Sequence, residues 1–450
     1  MTRMKDSGIE WIGEVPEEWG ITKSKYFLDT NKGLTITKEN LIEDGIPVIN
    51  YGQIHSKYGR SVSTVRDELP QVSTNYLKFK QSLLNKGDFV FADTSEDIEG
   101  SGNFSTRIDD NGELFAGYHT IKAKLKNALE HDFRYFMHYF DSMAFRKQVQ
   151  NKVSGIKVYS VTQSILQETC LLLPSFIEQQ RIADFLDKKV AQLDKVNSLL
   201  EEQIKTLEDY RKSLIYQTVT KGLDKTVPLK DSGVDWIGQI PEGWGITKFK
   251  YFLDTNKGLT ITKENLIEDG IPVINYGQIH SKYGKSVNTD RDELPQVSAN
   301  YLKFKQSLLK PGDFVFADTS EDIDGSGNFS TRIDDNGELF AGYHTIKAKL
   351  KNALEHDFRY FMHYFDSLAF RKQVQNKVSG IKVYSITQSI LHETCLILPS
   401  LYEQQQIATF LDKKTKQINQ MIAIKKEQIE NINKQRQTLI YDYVTGKRRV

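Results

Sequence analysis

The chain is poor in the residues that build most catalytic and metal centres. Its 450 residues include two cysteines, Cys170 and Cys395, both in apolar segments (ETCLLLP and ETCLILP). That count excludes a disulfide framework or a thiolate zinc site and predicts two free thiols buried in strands. None of the ten prolines is followed by another, so the Asn/Asp-Pro-Pro-aromatic motif of an amino-methyltransferase is missing. No GxxxxGK[ST] occurs, and the GSG at 100–102 lies in an acidic stretch, not between a strand and a helix. Asp93, Glu96, Asp97 and Glu99 form a carboxylate cluster, but no lysine nearby completes a nuclease-type set, so they read as a solvated loop face. His131 and His138 lack the Cys or carboxylate company of a metal site, and Cys170 has no His partner in sequence. No metal is expected, and the chain is not expected to be an enzyme by itself. Long apolar runs are also missing, and MTRMKDSGIEW at the amino end has no signal core. The expectation is a cytoplasmic protein with no membrane partner. A net charge of +1 leaves no global basic footprint, so any nucleic-acid reading must be local.

What is present is one unit written twice. Hydrophobic residues at 39% and charged residues at 26% describe a globular chain, long enough for two or more domains. KDSGIEWIGEVPEEWG at 5–20 returns as KDSGVDWIGQIPEGWG at 230–245, an offset of 225 residues. From Ile21 to Cys170 the copies differ at 11 positions: Ser24/Phe249, Arg60/Lys285, Ser63/Asn288, Val65/Asp290, Thr74/Ala299, Asn85/Lys310, Lys86/Pro311, Glu99/Asp324, Met143/Leu368, Val161/Ile386 and Gln167/His392. Each copy ends in a proline-free stretch with a three-four apolar spacing, the mark of a helix packed along a second helix. The seam in the first stretch is Leu186, Val190, Leu193, Asn197, Leu200, Ile204, Leu207 and Leu214. In the second it is Leu411, Ile418, Ile422, Ile429, Ile432 and Leu439. The expected architecture is α+β: two mixed globular domains (1–173 and 223–398) on two long antiparallel coiled-coil helices (174–222 and 399–450), a pseudo-twofold dumbbell.

Within one unit, DSGIEWIGEVPEEWG is turn-rich, and its Trp11 and Trp19 read as packing anchors or a docking point. GDFVFADTS (87–95) and GELFAGYHTIKAKLK (112–126) read as strands, with SEDIEGSGNFSTRIDDN between them as a long polar loop. HDFRYFMHYFDSMAFRKQVQNKV (131–153) reads as one amphipathic helix with Phe133, Phe136, Met137, Phe140 and Phe145 inward. VSGIKVYSVTQSILQETCLLLP then gives a glycine turn, a short helix and a buried strand.

A mixed body opened by DSGIEWIGEVPEEW and closed by LLLPSFIEQQRIADFLD, present twice, resembles the specificity subunit of type I restriction–modification systems. The closing signature (Pro174, Glu178, Gln179, Gln180, Ile182, Ala183, Phe185, Leu186, Asp187) recurs at Pro399, Glu403, Gln404, Gln405, Ile407, Ala408, Phe410, Leu411 and Asp412. The resemblance implies two target recognition domains that each read half of a split site in double-stranded DNA. It also implies two methyltransferase subunits carrying S-adenosylmethionine, and motor-endonuclease subunits using ATP and Mg; no cofactor is expected in this chain. Two near-identical readers imply a gapped inverted repeat as the target. A coiled-coil scaffold that binds protein instead of DNA is the alternative. Residue type and loop position nominate DNA contacts in three segments: Gln53, His55, Lys57, Tyr58 and Arg60; Asn103, Ser105 and Arg107; Lys157, Tyr159, Thr162 and Gln163. Their counterparts are Gln278, His280, Lys282, Tyr283 and Lys285; Asn328, Ser330 and Arg332; Lys382, Tyr384, Thr387 and Gln388. The Arg60/Lys285 swap suits a phosphate contact better than bidentate reading of guanine.

Overall fold

A computed structural model describes residues 3–380 and 382–450. By internal packing the chain divides into two units, Met1–Leu200 with Lys426–Val450 and Glu201–Lys425. Each unit is described by itself.

In the first unit a five-stranded sheet runs in the order Leu28–Lys32, Thr120–Leu125, Phe89–Ala92, Phe104–Arg107, Arg60–Val62, with only the last pairing parallel. FVFA at 89–92 occupies its centre because both its faces are apolar. Phe89 and Phe91 pack against the aromatic helices, and Val90 and Ala92 join a separate cluster with Ile49, Ile54 and Leu114. A smaller sheet, Phe115–Ala116, Ile46–Ile49, Gln71–Val72, Leu41–Ile42, flanks it. Gly20–Lys23 pairs antiparallel with Cys170–Leu173 and so ties the start of the body to its end. The second unit repeats this plan, with Phe314–Ala317 as its central strand. The fifth strand there shrinks to an isolated bridge between Val287 and Arg332.

Four sequence expectations need correction. The stretch 131–153 is two helices, Phe133–Asp141 and Met143–Gln150, because Ser142 takes extended backbone and its hydroxyl donates to the Tyr139 carbonyl at 2.6 Å. Four aromatics beyond the inward set, Tyr135 and Tyr139 with their copies Tyr360 and Tyr364, are fully buried. The stretch 112–126 is two strands separated by a turn at Gly117. A side chain there would meet the Asn50 carboxamide oxygen at 1.9 Å, the oxygen that accepts from the Tyr118 amide. The polar loop after residue 95 contains the buried strand Phe104–Arg107, whose two central hydroxyls hid an apolar-edged strand from composition. The thiols of Cys170 and Cys395 are free, but half-buried instead of buried.

The long helices are Phe176–Lys221 and Leu401–Val444. In the first unit Phe185 stacks on Tyr443 at 4.5 Å and Asn197 bonds Asn433 at 2.8 Å, so the two segments run antiparallel. Arg211 with Asn419 (2.6 Å) and Gln203 with Lys425 (2.6 Å) show the same sense in the second. Of the seam positions, Leu186, Val190, Leu411, Ile418 and Ile422 are buried. The others (Leu193, Asn197, Leu200, Ile204, Leu207, Leu214, Ile429, Ile432 and Leu439) are half-buried. Two helices alone cover a seam residue from one side only. No helix among the described residues is long and apolar enough to cross a membrane.

Candidate nucleic-acid interface

The closing signature is a joint between body and helix. Glu178 accepts from the Trp19 indole at 3.0 Å, which makes Trp19 a packing anchor. The fully buried Gln179 accepts from the Asp132 amide at 3.0 Å, donates to the Pro174 carbonyl at 2.9 Å and approaches His131 Nδ1 at 3.2 Å. Asp187 meets His138 at 2.7 Å and Arg134 at 3.2 Å. Burial alone would push the Asp187 carboxyl up, but His138 and Arg134 outweigh it and hold it below the usual range. Burial pushes the His138 imidazole down, and the opposing pull of Asp187 does not reverse this.

Beyond the joint, each body carries a cleft at one end of the inner strands of the central sheet, where Thr94 follows Phe89–Ala92 and Asn103 and His119 precede Phe104–Arg107 and Thr120–Leu125. In the first unit its volume is about 760 Å³, and its lining includes Tyr51, His55, Thr94, Glu96, Asp97, Glu99, Asn103, His119, Arg146 and Val158. The second-unit cleft, about 810 Å³, is lined by most of the corresponding residues, with Asp324 where the first has Glu99, Ser281 added and Arg371 outside the lining. A one-way hydrogen-bond chain builds the floor. Arg146 donates to Asn103 Oδ1 (2.6 Å), Asn103 donates to His55 Nδ1 (2.9 Å), and His55 Nε2–H donates to the Thr94 carbonyl (2.8 Å). The second unit repeats it through Arg371, Asn328, His280 and Thr319 at 2.7, 2.9 and 2.8 Å.

These bonds sort the sequence candidates. Gln53 closes the capping box of the Tyr51–Ser56 helix, accepting from the Asn50 amide at 3.1 Å, and Gln278 does the same. His55 and Asn103, like His280 and Asn328, are committed to the cleft floor. Tyr58 and Tyr283 donate to the carbonyls of Glu68 and Glu293. Thr162 and Thr387 cap the short helices Gln163–Gln167 and Gln388–His392. Ser105, Arg107, Ser330 and Arg332 are corrections, because all four are buried inside the sheet. Arg107 spends its donors on the carbonyls of Leu84, Asp109, Asn111 and Gly112. Such a guanidinium, buried and tied to four carbonyls, is a scaffold element. Arg60 pairs with Asp141 at 3.1 Å and Asp194 at 3.2 Å, and Lys285 pairs with Asp366, so neither is a free phosphate contact. Lys57, Lys157, Lys282 and Lys382 are exposed, and Tyr159, Gln163, Tyr384 and Gln388 are half-exposed. Among the cleft residues that the sequence did not nominate are Tyr51, His119 and Arg146. Nothing in their spacing marks them, because 51, 119 and 146 meet only through the fold.

The family model described as the type I restriction modification DNA specificity domain matches the chain twice, at residues 16–208 and 241–431. The chain belongs to that family. This specificity-domain chain is 25% identical over 445 residues to the MjaVIII specificity subunit of Methanocaldococcus jannaschii, covering 97% of this chain and 94% of that protein. Over 434 residues it is 21% identical to the EcoKI specificity subunit of Escherichia coli, covering 91% and 86%. A solved structure titled as a study of complex assembly and conformational transition of the type I R-M system aligns over 96% of this chain and 99% of its own. Its TM-score is 0.66 at 16% identity, a likeness of fold. The specificity-domain cleft differs between units at one lining position, Glu99/Asp324. The other substitutions stand elsewhere: Gln167 and His392 make the same bond, to Thr30 at 2.9 Å and Thr255 at 2.8 Å.

Proposed function

We propose that this chain is the DNA-recognition subunit of a type I restriction–modification complex. It binds a gapped double-stranded site whose halves are inverted copies, one read by each body. Two methyltransferase subunits bearing S-adenosylmethionine then methylate an adenine in each half, and motor-endonuclease subunits using ATP and Mg cleave unmodified DNA. Catalysis belongs to those partners. The observation that carries this reading is the double match to the DNA specificity family by two bodies whose clefts agree at all lining positions but one. The antiparallel run of the helices within each unit supports the inverted order of the half-sites.

The test is genome-wide mapping of methylated adenine in cells expressing the chain with its methyltransferase subunit, against cells without the chain. A gapped motif with inverted like halves is expected. Unlike halves would keep DNA recognition and overturn the symmetry. No new methylation, with the methyltransferase active beside another specificity chain, would favour a protein-binding scaffold.

A further inference from the structure

His119, and His344 in the second copy, stand apart from every other polar group of the cleft. The floor residues Arg146, Asn103 and His55 are tied to one another, whereas the His119 side chain is 57% exposed at the mouth. Its position is built. Its backbone is left-handed, φ +53°, and His344 repeats this at +54°. Asp93 clasps it twice: the Asp93 amide donates to the His119 carbonyl at 3.1 Å, and the carboxylate takes Nδ1–H at 3.1 Å. Tyr51 and Tyr118 meet the ring edge-on at 5.4 and 6.1 Å. In the second unit Asp318, Tyr276 and Tyr343 do the same at 3.2, 5.4 and 6.0 Å. With Nδ1–H committed to Asp93, the tautomer that this bond selects leaves Nε2 as the acceptor, held in a fixed direction. Glu96 and Asp97, which line the same cleft, also only accept when ionised. An acceptor so placed selects a hydrogen-bond donor.

From this juxtaposition we infer that His119 and His344 are specificity-determining residues, each accepting from the exocyclic amino group of one base in its half-site. In the major groove that group is adenine N6 or cytosine N4. Guanine offers only acceptors along its edge, and thymine an acceptor and a methyl, so both are rejected. Asp93 and Asp318 are positioning residues, since they fix the ring and its tautomer. The inference rests on the DNA-recognition reading above.

The test is selection from a random-sequence duplex pool by the full-length chain purified with its methyltransferase subunit. The variant is His119→Gly with His344→Gly, which removes the ring while suiting the left-handed backbone, so folding is spared. The wild type should select a gapped motif with one A-or-C position in each half. The variant should lose the preference there, roughly five- to a hundredfold in discrimination, with the other positions and the salt dependence unchanged. Asp93→Ala with Asp318→Ala should weaken the same position by less. A variant motif identical to the wild type overturns this inference and leaves DNA recognition standing. So does a loss of affinity that is uniform across sequences, which would mark a backbone or structural role. A wild type that selects no motif overturns the DNA-recognition reading, and this inference with it.

Discussion

The two units agree at the cleft and differ in the ion pairs that Arg60 or its counterpart makes between body and helix. In the first, Arg60 and Arg436 alternate with Asp141 and Asp194. Arg60 reaches the two carboxylates at 3.1 and 3.2 Å, and Arg436 reaches them at 2.6 and 3.3 Å. In the second, Lys285 replaces Arg60 and Asn419 replaces Asp194. What remains is a Lys285–Asp366 pair and an Arg211–Asn419 bond at 2.6 Å. A planar guanidinium spans two carboxylates where an ammonium acts as a point charge, so the ring has become two separate links. Ser24/Phe249 is a similar exchange of chemistry inside the body. Ser24 shares a buried hydrogen bond with Thr169 at 2.7 Å, whereas Phe249 packs on Phe365 at 5.9 Å. The comparison teaches that the duplicated chain held its cleft and its closing-signature joint fixed while the Arg60 ring was rebuilt with other chemistry. At that joint Trp244–Glu403, Gln404–Asp357 and His363–Asp412 repeat the bonds of the first unit.

The largest effect that would break this comparison concerns the fragment 1–225. Tyr441 donates to the Ile12 carbonyl in the first unit, and Tyr216 makes the matching bond to Ile237 in the second, both at 3.1 Å. The 201–221 segment thus carries the contacts of 426–444, and Arg211 occupies the sequence place of Arg436. The fragment is expected to dimerise, with the ring completed by Asp194 of one copy and Arg211 of the other. Light scattering checks it, and a strictly monomeric fragment would show that the joints pair only unlike with unlike.

Next in size is the ring itself. Arg436→Ala removes one of two cations from Asp141, whose side chain is 7% exposed. The expected loss is about 2–4 kcal/mol in the first unit, discounted because Arg60 stays. Arg211→Ala should cost the second unit under about 1 kcal/mol, the value of one hydrogen bond at a half-exposed site. Hydrogen exchange resolved by unit reads both, and equal losses would refute the distinction between the joints.

Acid should expose the first joint as well. The His138 pKa is depressed by burial, with the Arg60 charge adding to it. The unfolded chain therefore takes up a proton below about pH 6.5 while the native one does not. Stability falls as pH drops through that window, by up to about 1.4 kcal/mol per pH unit, until the native imidazole protonates. Burial pushes the Asp141 carboxyl up, but Arg60, Arg436 and Arg146 more than reverse it. Its contribution is thus present above about pH 4 and lost as pH falls through the lower native value. His138→Gln should flatten the first window and leave the second, measured as unfolding midpoint against pH.

Repetition and periodicity are local signals, and they carried the doubled body, both long helices and the family signature. Contacts between distant residues left no such trace. Ser105 and Arg107 looked like loop readers because polarity is the only cue a sequence gives. The structure buries Arg107 on an inner strand, where it satisfies four carbonyls. His119 was overlooked because Asp93 and Tyr51, which give it direction, lie 26 and 68 residues away. Arg60 was read as a phosphate contact because its partners are a carboxylate on another helix and one on the long seam.

The smallest effect is the most pointed check on the cleft. Gln167→His in the first unit should shift stability within about 0.5 kcal/mol, because either side chain reaches the threonine hydroxyl of the neighbouring strand. The same substitution should leave both half-sites of the methylated motif as they were. Glu99→Asp, the one change inside the cleft, should also be silent. Arg146 bonds the backbone carbonyl of residue 99 at 2.6 Å, as Arg371 does with Asp324, so a shorter side chain leaves the floor intact. A shift in one half of the motif with either change would mean that the carboxylate rim or the strand beneath it reads a base, and that the two bodies are not equivalent readers.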